Sequence, residues 1–178
     1  LEVSDRLEFQ IHQFLYFLPA EAFDADFLLH FLENYHRHAE HITRHFSAKG
    51  NHLLFEAQRL VFAGVFFPEF RDADRWRGTG VEILNREIGE QVYDDGMQYE
   101  LDLHYHHESI GIFFKALQMM DANGYRGDFP AEYLATVERM IDAYIDCSFP
   151  DYTTPLFSDN RFREREELMP YYRAWAEV

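Results

Sequence analysis

Apolar residues recur along this chain at helical rather than strand spacing. Leu7, Ile11, Phe14, Leu15 and Leu18 fall three or four positions apart and predict a helix that Pro19 closes. A second helix is predicted over about 21–46, with Phe27, Leu28, Phe31 and Leu32 on its apolar side, and Gly50-Asn51 interrupts the pattern. From His52 to Phe67 the apolar residues (Leu53, Leu54, Phe55, Leu60, Val61, Phe66, Phe67) fall on nearly every side, so this helix belongs inside a protein, walled by others. Pro68 ends it. A one-sided helix is predicted over 71–92, carrying Trp76, Val81, Ile83, Leu84 and Ile88, with Gly78 and Gly80 as expected breaks near its start. Residues 93–106 read as a loop turning at Asp94-Asp95-Gly96. Helices resume over 107–120 and 131–147, the latter with Leu134, Val137, Ile141 and Tyr144 as its buried stripe. A second loop covers 149–160, and short helical pieces follow from Glu164 with Pro170 as an expected break.

Helices that are apolar all round alternate with one-sided ones. Concentric packing accounts for that: inner helices are covered on both sides, outer helices on one. The expected fold is all-α, an incomplete α/α toroid made of an arc of inner and outer antiparallel helices, with a plain helical bundle as the alternative. No short repeat and no shift of composition divides the chain, so 1–178 is expected to be one helical piece.

Composition sharpens this in a few places. Aromatic residues make up 17% of the 178 residues, with 18 Phe and 11 Tyr, which suits a thick core or a groove that stacks the C–H faces of sugar rings. The formal charge of −16 excludes the basic footprint of a nucleic-acid binder. It also gives the wrong long-range sign for a polyanionic ligand, which would need a locally basic groove. The single cysteine, Cys147, excludes an internal disulfide. No apolar run reaches the length of a membrane span, and no signal peptide is visible. A start at Leu1 without an initiator Met is what a processed chain or a fragment would show.

Three constellations could carry chemistry. In the run His36, His38, His41, His45, the last three share a helical face and could hold a metal, although Arg37, Glu40 and Arg44 among them equally describe a solvated face. Asn51-His52 stands at the start of the inner helix. Asn there reads as a helix cap, but a helix start also offers N–H groups and partial positive charge to an anion. Tyr105-His106 closes a segment, Gln98 to Glu108, dense in titratable groups, where a tyrosine among histidines suits proton transfer. Both pairs precede apolar helices, so in a toroid whose inner helices run one way they would meet at one end.

The residues Gly50-Asn51-His52 with Glu56, then Asp95-Gly96-Met97-Gln98-Tyr99-Glu100, then Tyr105-His106, resemble the core of the heparinase II/III family of polysaccharide lyases. The later Phe149-Pro150-Asp151-Tyr152, Pro155 and Ser158-Asp159 are similar too. The resemblance covers roughly 45–160 and runs closest to the heparan-sulfate-cleaving members, heparinase III. It implies cleavage of an acidic, uronate-containing polysaccharide by β-elimination. Asn51 matches the residue that binds the uronate carboxylate, His52 would assist it, and Tyr105 matches the acid/base tyrosine. Gln98, Glu100 and His106 are expected near the substrate. The resemblance also implies a further histidine and a β-rich C-terminal domain, neither in this chain, so the chain alone would carry part of a site. The site requires no metal or other cofactor, with a structural metal elsewhere left open, and a periplasmic or secreted location is implied. An alginate-type lyase, a non-catalytic helical carbohydrate-binding module and a helical metal-binding protein remain as alternatives.

Overall fold

The computed structural model describes residues 2–176, and over them the chain is all-α. Seven α-helices follow in order: α1 (Glu2–Phe17), α2 (Ala25–Arg44), α3 (Gly50–Phe66), α4 (Ala73–Gln91), α5 (Leu103–Ala122), α6 (Ala131–Asp146) and α7 (Arg165–Trp175), with a 3-10 turn at Arg126–Asp128. Among the described residues the sole β feature is one isolated antiparallel bridge between Val92 and Gln98. No described helix is long and apolar enough to cross a membrane. The chain divides into two compact units, one running to Leu84 with Ala116–Asp128, the other Asn85–Lys115 with Phe129 onward.

In the first unit α1 and α2 pack on α3. The core joins Leu7, Ile11, Tyr35, Ala39, Ile42, Leu60, Phe62, Ala63, Phe67 and Trp76. The all-round apolar character of α3 is explained by its burial from Leu53 through Val65. Its few polar side chains are tied down: Glu56 accepts from the Ser47 backbone N–H at 2.7 Å and from the Ser47 hydroxyl at 2.9 Å, and Arg59 pairs with Glu8. Gly78 and Gly80 do not break α4. Gly80 instead lets α4 lie against α3, because a Cβ there would stand 2.5 Å from the Ala57 carbonyl oxygen.

The histidine run is structural in its contacts. His38 meets Gln10 at 3.1 Å, and the rings of His41 and His45 stack with centroids 4.3 Å apart. Among the described residues the one group of metal-ligating side chains brought together is His36, Glu40 and Asp72. Arg75 already serves these carboxylates, pairing with Glu40 and with Asp72 at 2.7 Å, while Trp76 Nε1 donates to Glu40 at 2.8 Å.

In the second unit Phe113, Tyr133, Val137, Met140 and Tyr144 form the interior with Leu168 and Trp175 of α7. The Tyr133 hydroxyl donates to the Phe113 carbonyl at 3.1 Å, and burial pushes its pKa well above the ordinary value. Pro170 lies inside α7 and does not break it. It removes one helical N–H, but Leu168 and Trp175 on either side are buried and hold the turn in place.

Two helix starts depart from the sequence pattern. Lys49, not Asn51, stands at the cap position of α3, and Gly50, with a left-handed φ of 75°, begins the helix two residues before His52. Helix α5 begins at Leu103 rather than His107. Asp102 explains it, since its Oδ1 accepts from the backbone N–H of His104 at 2.8 Å and of Tyr105 at 3.1 Å, satisfying two orphan donors of the first turn.

Candidate functional site

Asn51 and His52 lie in the first turn of α3, in the first unit. Asn51 is half-buried and His52 exposed. Lys49 makes no side-chain capping bond and the first turn holds no acidic residue, so this end keeps the positive sense of the helix dipole for an anion.

Gln98, Glu100, Tyr105 and His106 are brought together in the second unit. The chain leaves α4 through a tight turn: Tyr93 N–H donates to the Met97 carbonyl at 2.9 Å, and Asp95 Oδ1 accepts from Met97 N–H at 3.0 Å. Gly96 makes the turn possible. Its φ is 89°, and a Cβ would stand 2.2 Å from the Arg139 carbonyl oxygen on α6. The next residues fold back on themselves, with the fully buried Gln98 side chain donating to Glu100 at 3.2 Å and accepting from Glu100 N–H at 3.0 Å.

His106 does not face the solvent. It is 0% exposed, and both ring nitrogens are used. Gln98 N–H donates to Nδ1 at 3.1 Å, so the proton sits on Nε2 and is donated to the Met140 carbonyl at 2.8 Å. Burial pushes its pKa down to about 4, and the ring is neutral at pH 7. It is a strut between the turn and α6.

Arg163, on the segment between α6 and α7, completes the group. Its guanidinium donates to His104 Nδ1 at 2.6 Å, His107 Nδ1 at 2.7 Å and Glu108 at 2.8 Å. Arg163, donating at 2.8 Å, holds the Glu108 carboxyl below the usual carboxylate range. Burial, with Arg163 adding to it, keeps His104 and His107 below the ordinary histidine range. His107 is walled by the rings of Tyr144, Tyr171 and Trp175, and its Nε2 has no hydrogen-bond partner among the described residues.

Tyr105 differs from its neighbours. Each other side chain from His104 to Glu108 is anchored by the bonds above, whereas the half-buried Tyr105 makes no hydrogen bond with its hydroxyl among the described residues. Neither Arg163 nor Asp102 is among the residues that the sequence singles out. Asp102 had a signal, an Asp immediately before a helix; Arg163 had none, because its partners lie more than fifty positions away.

Helix order and the absence of sheet among the described residues place the chain in the all-α class. The family is narrower than the class: the chain belongs to the heparinase II/III N-terminus family, which it matches over residues 1–178. It is 54% identical over its whole length to a heparin-sulfate lyase of Bacteroides stercoris, of which it spans 27%. A solved heparinase III structure superposes with a TM-score of 0.92 at 56% identity, over 99% of this chain and 28% of that one. The heparan sulfate lyase of Pedobacter heparinus superposes with a TM-score of 0.86 at 47% identity, over 100% and 28%. The chain thus spans about a quarter of the length of these relatives.

Proposed function

We propose that this chain is part of the catalytic domain of a polysaccharide lyase that cleaves heparan sulfate or a related uronate polymer by β-elimination. The observation that carries the reading is Tyr105: a tyrosine whose hydroxyl is left unpartnered in a run whose every other side chain is pinned. The heparin-sulfate lyases and heparinase III structures that the whole chain resembles support the same substrate class.

The proton on C5 of a uronate is weakly acidic, and its removal places negative charge on the adjacent carboxylate. Asn51, at the start of α3, donates its amide to that carboxylate much as an oxyanion hole does, and His52 assists it. As the C5 proton leaves to a base supplied by the rest of the parent protein, the C4–O4 bond breaks and a C4–C5 double bond forms. Tyr105 gives its proton to the departing O4. A positioned tyrosine hydroxyl is suited to that role. Gln98 and Glu100 shape the turn beside it, and His106 acts by holding that turn. The reaction needs no cofactor.

In this reading residues 1–178 form an arc of an α/α toroid, the β-rich domain of the family follows it, and the parent works in the periplasm or outside the cell. The proposal is tested with the full-length parent on heparan sulfate, by following the ultraviolet absorbance of the unsaturated product. Asn51→Ala and Tyr105→Phe should each lower the rate at least ~10²-fold, the scale of losing one oxyanion donor or a general acid. Near-normal turnover in either variant removes that residue from the mechanism, and turnover of alginate but not of heparan sulfate would reassign the substrate.

A further inference from the structure

Proton delivery to a leaving oxygen depends on where the hydroxyl is held, and a shift of ~1 Å can cost ~10²-fold in rate. The structure surrounds Tyr105 with anchors whose common partner is Arg163. This guanidinium is 9% exposed and serves three acceptors at once: His104, which directly precedes the tyrosine, and His107 and Glu108, the latter one helical turn beyond it. Arginine has donors and no acceptor, so both histidines must offer Nδ1 as a lone pair and carry their proton on Nε2. The His104 ring lies 5.4 Å from the Tyr105 ring, and its Nε2–H has no partner among the described residues. Glu108 neutralises the guanidinium that this burial would otherwise leave costly. On its other side Tyr105 is followed by His106, held to Gln98 and Met140.

We propose that Arg163 is a positioning residue for the proton transfer at Tyr105. It clamps the start of α5 on both sides of the tyrosine and fixes the His104 ring, which lies 5.4 Å from the phenol ring. The fork is specific to arginine, since a lysine ammonium could satisfy one of these acceptors well but not three in a plane. Arg163 acts on the reaction through its neighbours and does not contact the reacting atoms. This inference rests on the lyase reading above.

The test uses the full-length parent, with kcat and KM for heparan sulfate measured from product absorbance. Arg163→Ala should lower kcat by ~10²-fold while KM stays within ~3-fold, and Arg163→Lys should still lose ~10-fold in kcat. Free guanidinium ion at tens of millimolar should restore part of kcat to Arg163→Ala and none to Tyr105→Phe. Circular dichroism reports whether each variant is folded. If Arg163→Ala does not fold, Arg163→Lys decides. A kcat within ~3-fold of the parent in a folded Arg163 variant, or a loss confined to KM, overturns the proposal. Tyr105→Phe separates the two claims: if it is inactive while the Arg163 variants are normal, this inference alone fails; if it is active, the lyase role of Tyr105 fails first.

Discussion

His106 shows how a residue can matter to a site without facing it. Its neutral ring bridges a backbone donor and a backbone acceptor in a fully buried position. The folded-state pKa of about 4 lies below the ordinary value of 6.5. The unfolded chain therefore takes up the proton first as pH falls. The stability that the neutral ring contributes is complete above pH 6.5 and is lost as pH drops towards 4, amounting to about 3 kcal/mol if the whole shift is realised. His104 and His107 are shifted the same way, so the comparison must be with a variant. His106→Gln should flatten the pH dependence of unfolding free energy between pH 7 and 4.5, measured by denaturant titration. An unchanged slope would mean that the ring is not buried as a neutral strut. Glu108, whose carboxyl is held low beside Arg163, contributes in a separate window below pH 4.5.

At the scale of elements, the turn between α4 and α5 sets where Tyr105 sits. Gly96 is the position it cannot do without, being both left-handed in φ and pressed on the α6 backbone. Gly96→Ala adds strain of about 1–3 kcal/mol and forces the turn off α6. The expected result is a lowered melting temperature and a fall in kcat in the parent, and equal stability to the unsubstituted protein would refute the close approach. The helices themselves were legible in the sequence because burial and periodicity agree: α3 is apolar all round and buried almost all round. The ends were less so. Asp102 starts α5 four residues before the predicted start, by supplying bonds that periodicity does not encode. Pro170 sits inside α7 because burial of Leu168 and Trp175 outweighs the missing N–H. Of the candidate site, Asn51 and Tyr105 stand out in the sequence by type and by place at helix starts. His106 was marked, yet its burial was not, since a histidine strut and a histidine ligand look alike in one dimension. Arg163 was invisible because tertiary folding alone brings it to α5.

At the scale of the whole chain, the charge of −16 has to be reconciled with the polyanionic substrate proposed above. The cation that the structure places beside the candidate tyrosine is paired with Glu108 and is no net attractor. At distances beyond contact this chain therefore repels heparan sulfate, and whatever attraction brings substrate in must come from the rest of the parent or from short range. The repulsion belongs to exposed acids such as Glu138, Asp142 and Asp146, spaced one turn apart along α6. Converting these three to Gln, Asn and Asn removes charge without touching the residues assigned to the site. The parent so altered should show a KM for heparan sulfate lowered ~2-fold or more in ~10 mM salt, where the screening length is ~30 Å. The difference should vanish above ~0.15 M, where screening falls to ~8 Å, and kcat should stay constant throughout. A KM that rises on neutralisation, or one that ignores salt, would show that this face of the chain lies outside the field the substrate feels.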